Sequence, residues 1–174
     1  MNKELINWYL KKHLKFTGNN EPSRASLIQL HLLQSQILDP LTKLGEVEIT
    51  YGFTGQKLLR FILQNSPKDI APKIDQHAAM ELNSKGNRIC KRDGAACDFY
   101  IHGYENKMDE VAKYLCEHLQ FDRLYFYGKS RPIHVSIGAD HSRYALIRQT
   151  RDDGFRINIK SAKGNATKTL FDNL

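Results

Sequence analysis

The sequence predicts an α+β fold, with helices packed on a mainly antiparallel sheet. Three observations carry this expectation. Apolar residues recur at helical spacing through the first third of the chain. Short alternating or β-branched runs fill the second half. Those runs follow one another closely, with one good helix set among them, as expected when helices and strands segregate along a chain. The 174 residues are enough for one domain with its own core, and we read residues 1–174 that way.

Residues 3–16 predict a helix from Leu5, Ile6, Tyr9, Leu10 and Leu14, with Lys11, Lys12 and Lys15 opposite. Gly18 to Pro22 would stop it. Ser23 or Ser26 can cap a second helix, whose stripe is Leu27, Leu30, Leu33, Ile37 and Leu38 and in which His31 reads as a packing residue. Pro40 falls near its end. Val47–Tyr51 alternates as a strand, a turn follows at Gly52 to Gly55, and 56–64 is a short helix on Leu58, Leu59, Phe61 and Ile62. One more helical turn is expected at 77–82. Residues 83–93 are polar enough for an exposed loop. Beyond it lie a strand at 97–102, a helix at 108–119 and strands at 124–127 and 133–137. A hairpin at 144–159 turns on Arg151-Asp152-Asp153-Gly154. From Ser161 the tail reads as polar and frayed, with Leu170 and Phe171 able to dock.

Composition narrows the function. Apolar residues make up 41% of the chain and mean hydropathy is −0.53, as in globular proteins. No apolar run reaches the length of a membrane span. The first residues lack a secretory pattern, so the expected location is cytoplasmic, with release by lysis if the protein is a phage-type lysin. Three cysteines, Cys90, Cys97 and Cys116, read as buried free thiols. A net charge of +7 favours an anionic partner such as a wall polymer or nucleic acid. Residues 141–174 alone carry seven Lys/Arg against three Asp. Glycine-rich phosphate loops, a Gly-x-Ser-x-Gly elbow and a His-Glu-x-x-His helix are absent from the sequence.

The candidate chemistry lies in Asp75-Gln76-His77, in Gly94-Ala95-Ala96-Cys97-Asp98 and in His134 of the run Ile133–Ile137. Two imidazoles and a carboxylate can hold zinc and leave a fourth position open. A carboxylate in an apolar strand, as at Asp98, is costly to bury unless paired or metal-bound. At period two, Tyr100 and His102 share a strand face with Asp98.

These residues, with Ile37-Leu38-Asp39-Pro40-Leu41, Gly45 and Val47-Glu48-Ile49-Thr50-Tyr51-Gly52-Phe53, resemble the zinc D-Ala-D-Ala carboxypeptidase family. That family shares its fold with the Hedgehog signalling domain and with phage endolysins. The resemblance runs from about residue 27 to 137. It implies a Hedgehog/DD-peptidase-like fold, zinc on His77, Asp98 and His134, and a peptide substrate of the peptidoglycan type. This sequence departs from the pattern in three places. Residues 78–93 contain an insertion, Thr54 stands where the family has a substrate-binding arginine, and Arg131 stands where its carboxylate commonly lies. Proton transfer then falls to Asp140 first, with His141, Glu81 and Asp93 behind it. Arg131, Lys57 or Lys91 would bind a substrate carboxylate or oxyanion in place of the missing arginine. The alternative is a binding or regulatory protein on the same fold, its chemistry lost, engaging nucleic acid through its basic surface.

Overall fold

The structure is a computed structural model and describes residues 3–68, 70–172 and 174. The N-terminal segment forms two short helical pieces, α1 (Glu4–Asn7) and α2 (Tyr9–Lys12). The predicted single helix over 3–16 is therefore broken and shorter. Its inner face also differs from the expected stripe: Leu10 and Leu14 are 55% and 83% exposed, while Trp8 is buried and donates from its indole to the Phe53 carbonyl. An indole gains most from burial when its N–H finds an acceptor, and that bond turns the segment toward Phe53.

Ser23 caps α3 (Arg24–Leu33) by accepting a hydrogen bond from the Ser26 N–H. The helix continues through a π-helical turn, Gln34–Leu38, into α4 (Asp39–Leu41). Leu30, Leu33, Ile37 and Leu38 are buried as their spacing predicts, but His31 is exposed rather than packed. β1 (Val47–Tyr51) and α5 (Gln56–Asn65) follow. Residues 77–82 form turns and one isolated bridge, not a helix. The stretch 83–93 is an exposed excursion at its tip, where the Asn83 side chain accepts from the N–H groups of Lys85 and Asn87. Its base is tied down by the Arg88–Asp93 ion pair and by Arg92 donating to the Ile74 carbonyl.

β2 (Ala95–Ile101), α6 (Met108–His118), β3 (Arg123–Phe126), β4 (Ile133–Ile137), β5 (Tyr144–Thr150) and β6 (Arg156–Lys163) complete the regular elements. The six strands form one mixed sheet in the order β1-β2-β4-β3-β5-β6. Four neighbouring pairs are antiparallel, and β3–β5 is parallel. The fold is thus α+β with a mixed sheet. β6 runs longer than expected and feeds a 3-10 helix, Gly164–Thr169. The tail is not frayed: Leu170 and Phe171 are buried, Phe171 against Phe126.

Strand alternation divides the sheet into two faces. Cys97, Phe99, Val135, Leu124, Phe126 and Ile147 belong to one core with the α3 and α6 stripes. α3 packs on β2 and β4, and α6 on β2 and β3. The alternate residues, including Asp98, His134, Tyr125 and Arg148, fall on the opposite phase and line a cleft. The close β2–β4 approach needs Gly94, whose φ is +118° and where any Cβ would sit 1.8 Å from the Ile137 carbonyl oxygen. All three cysteines are buried and free.

Candidate metal centre

The register of the central strands builds the site. Antiparallel pairing sets Asp98 of β2 opposite His134 of β4, and Tyr125 of β3 opposite the same His134. Parallel pairing then sets Leu146 of β5 beside Tyr125. One transverse row across four strands therefore reads Asp98, His134, Tyr125, Leu146. The Tyr125 ring stacks on His134 at 4.9 Å with planes 14° apart, which fixes the imidazole plane.

His77 joins this row from the turn after α5. Its predecessor Gln76 is fully buried with φ at 60°, and its amide donates to the Asp93 and Ile137 carbonyls and to Asp122 Oδ2. Left-handed backbone is costly for a residue with a Cβ and persists where the surroundings over-determine it. Here three acceptors hold the amide, and the backbone turn sends the next side chain toward Asp98.

The three groups meet closely. His134 Nδ1 is 2.8 Å from Asp98 Oδ1, and His77 Nε2 is 3.3 Å from the same oxygen. One ligand atom from each residue lies within 4.8 Å of the other two, so the group can hold a metal ion. His77 Nδ1 faces the Gly52 carbonyl at 3.2 Å. A carbonyl only accepts, so Nδ1 carries a proton and Nε2 is the ring nitrogen turned to Asp98. This is how metal-ligating histidines are oriented by a second hydrogen bond. Gly52 itself is pressed against Leu5, where a Cβ would come 2.3 Å from the Leu5 carbonyl oxygen. The buried Nε2 of His134 has no hydrogen-bond partner. Two imidazoles and a carboxylate, sharing one oxygen and open to a cleft, suit a divalent cation that takes nitrogen and oxygen ligands.

The charges agree with a cation site. Burial works to lower the His77 pKa, but Asp98, then Asp75 and the Gly52 carbonyl, outweigh it and raise the ring above its ordinary value. Burial works against ionised Asp98 as well. The two histidines prevail and hold its carboxyl well below the usual range. Both shifts favour a protonated His77 beside an ionised Asp98, and a metal ion would compete with that proton. Burial, reinforced by Asp98, pushes the Tyr127 phenol up, so it is a hydrogen-bond donor at neutral pH.

The cleft measures about 550 Å³ and opens over Asp75, His77, Asp98, His134, Tyr125 and Tyr127, with Arg148, Arg156 and Asn158 at its far side. Asp75 accepts from the Ala71 N–H at 3.0 Å and, at 3.5 Å, from the His77 N–H.

Several expected site residues lie elsewhere. Asp140 and His141 are exposed beyond the C-terminal end of β4, whereas His134 is at its start, so the strand's own length separates them. Asp140 instead lines another hollow, of about 200 Å³, with Lys91, Arg92, Asp93 and Asp122. Glu81 accepts from the Ser23 N–H and the Ser26 hydroxyl at the start of α3. Asp93 pairs with Arg88, and Lys57 reaches Asn19. Arg131 is exposed but lines a recess next to the cleft, with Asp98, Tyr127 and Arg156. Thr54 is buried and donates to the Gly52 carbonyl at 3.3 Å. The Tyr100 hydroxyl binds the Ser130 carbonyl, and His102 is exposed between Glu48 and Glu105.

Sequence reasoning missed Tyr125, Tyr127, Arg148, Arg156 and Asn158. The alternation Leu124-Tyr125-Phe126-Tyr127 held a signal, since the tyrosines occupy the phase opposite two buried apolar residues. The arginines gave none: the parallel β3–β5 pairing that carries the β5–β6 hairpin, with Arg148 and Arg156, to the cleft leaves no local mark. Comparison with family models, with curated proteins and with solved structures found no match to this chain.

Proposed function

We propose that the protein is a zinc-dependent peptidase acting on short peptides of the peptidoglycan type, with zinc on His77, Asp98 and His134. The observation that carries this reading is the convergence of three metal-competent side chains within 4.8 Å at the floor of an open cleft. The choice of zinc follows from the donor set, and the choice of peptide from the sequence resemblance. Bound zinc supplies a polarised carbonyl and a water acidified toward neutrality.

The chain's own residues divide the remaining tasks. Asp75 is the cleft carboxylate not engaged by both histidines, and a carboxylate has lone pairs to spare after two backbone hydrogen bonds. It replaces Asp140 as the proposed proton acceptor. Tyr127, kept protonated by its surroundings, is the proposed donor to a developing oxyanion. The Tyr125 ring, stacked on His134, would hold that imidazole in place for a metal.

Metal analysis of the purified protein, paired with digestion of peptidoglycan peptides, tests the proposal. We expect one zinc per chain and cleavage that falls about 100-fold or more in Asp75→Asn with zinc retained, the scale of lost general acid–base catalysis. If the zinc-loaded protein cleaves no cell-wall peptide, the reading as a binding or regulatory protein replaces it. A gel shift with nucleic acid that weakens steeply with salt would then identify the partner class.

A further inference from the structure

We infer that Arg148, on the β5–β6 hairpin, is an anion anchor that receives an oxyanion group of the molecule bound in the cleft. The inference rests on the reading of this cleft as a ligand site beside a metal centre. Arg148 lies outside the segment that carries the sequence resemblance. Its Nε is buried without an acceptor, and no carboxylate pairs with it among the described residues. A half-buried guanidinium without a counter-charge is costly, and a bound anion removes that cost.

The register gives the anchor its place. Tyr125 pairs with Leu146 and Phe126 with Ile147, so continuing the parallel ladder sets Tyr127 beside Arg148. Arg148 in turn pairs with Asn158, which also lines the cleft. Arg156 stacks over the Tyr127 ring at 4.7 Å, adding a second positive charge to that end. β5 lies two strands from β4, or about 10 Å from the strand that bears His134. A guanidinium fork reaching inward from there matches a carboxylate or phosphate in a bidentate fashion. Asp75 and Asp98, the carboxylates lining the cleft, are engaged by backbone N–H groups and by the histidines. With a divalent cation in place the cleft is therefore cationic. The ligand it suits is small, or the end of a larger one, with an oxyanion within about three residue lengths of the group at the metal.

The test uses the full chain, stripped of metal by a chelator and separately loaded with zinc. Inorganic phosphate and acetate are titrated as probes and followed by amide chemical shifts. We expect saturable binding that persists in the metal-free protein, maps to β5 and β6, and weakens at least tenfold in Arg148→Gln. Arg148→Lys, which keeps the charge and loses the fork, should fall between the two. Phosphate binding far more tightly than acetate would identify a phosphorylated ligand, and comparable binding a carboxylate. Equal anion affinity in wild type and in a folded Arg148→Gln, or no saturable binding of either probe, would overturn the inference. Failure to bind zinc, with anion binding intact, would instead count against the metal reading and leave the anchor standing.

Discussion

Gln76 and His77 are neighbours in sequence, yet each belongs to a different polar cluster, and the two clusters differ in kind. Gln76 reaches toward the C-terminal end of β4, where its amide meets Asp93, Ile137 and Asp122. Asp122 is closed off in turn by the N–H and hydroxyl of Ser142. His77 reaches toward the start of β4, where it meets Asp98 and His134 at the floor of an open cleft. In the first, protein groups take up the Gln76 amide N–H groups and the Asp122 carboxylate, and the Gln76 Oε1 is left buried without a partner. The second is open, shares one carboxylate oxygen between two imidazoles, and leaves a buried ring nitrogen without a partner. A closed network fixes geometry, and an open one of the same residue types is where a ligand can supply what is missing.

Substitutions should separate the two clusters. The largest effect is expected from His77→Ala, which should abolish stoichiometric zinc measured on the purified protein, because two remaining ligands are too few for a structural or catalytic zinc site. Full occupancy in that variant would break the assignment of the open cluster. Gln76→Ala should act differently. It leaves three acceptors short of a donor, for an expected loss of about 1–3 kcal/mol in denaturant unfolding. It should also weaken zinc about 10- to 100-fold, as loss of a residue orienting a ligand does. Unchanged stability with lost zinc would mean that the closed cluster does not hold the open one in place.

The same contrast marks how far the sequence could be read. Elements with clear periodicity were legible: Val47–Tyr51, Ile133–Ile137 and Tyr144–Thr150 form as strands at those limits. The grouping of His77, Asp98 and His134 was expected from their residue types and order along the chain, and the three do come together. The closed cluster was not, since Gln76, Asp122 and Ser142 are joined only by tertiary contacts between segments far apart in sequence. Asp140 was misplaced for a related reason. Closeness in sequence to His134 suggested reach, but an extended strand carries the chain away from its starting residue by about 3.3 Å per residue. His31 was misread because helical spacing alone does not mark the edge of a buried stripe.

A subtler effect should appear in the pH dependence of stability. His77 has its pKa raised in the folded protein, so in the metal-free form its contribution is fully present below the ordinary value of 6.5 and is lost as pH rises through the higher folded value. Asp98 is depressed, so its contribution is present above the ordinary 3.8 and is lost as pH falls toward its folded value. The His77–Asp98 pair is therefore strongest between these limits, and the metal-free protein should lose part of its stability from about pH 6.5 upward. Zinc reverses the slope, because protons compete with the metal for His77. Melting temperatures measured from pH 6 to 8, with and without zinc, should move in opposite directions. Parallel slopes would mean that no metal competes with protons at His77.

The smallest expected effect belongs to Asp140→Asn. Its side chain is exposed and lines the hollow formed by Lys91, Arg92, Asp93 and Asp122, beyond the end of β4. That hollow adjoins the closed cluster through Asp122, and it does not include any of the three metal-competent residues. Removing one exposed charge there should alter stability by less than about 0.5 kcal/mol, the usual range for surface substitutions. Zinc occupancy and peptide cleavage should match wild type, whereas Asp75→Asn should keep zinc and lose cleavage. Comparing the two variants in one assay isolates the carboxylate that lies in the cleft from the one that is merely near His134 in sequence. A large loss of cleavage in Asp140→Asn with zinc retained would show that the two ends of β4 act together, and the division between a closed and an open cluster would fail.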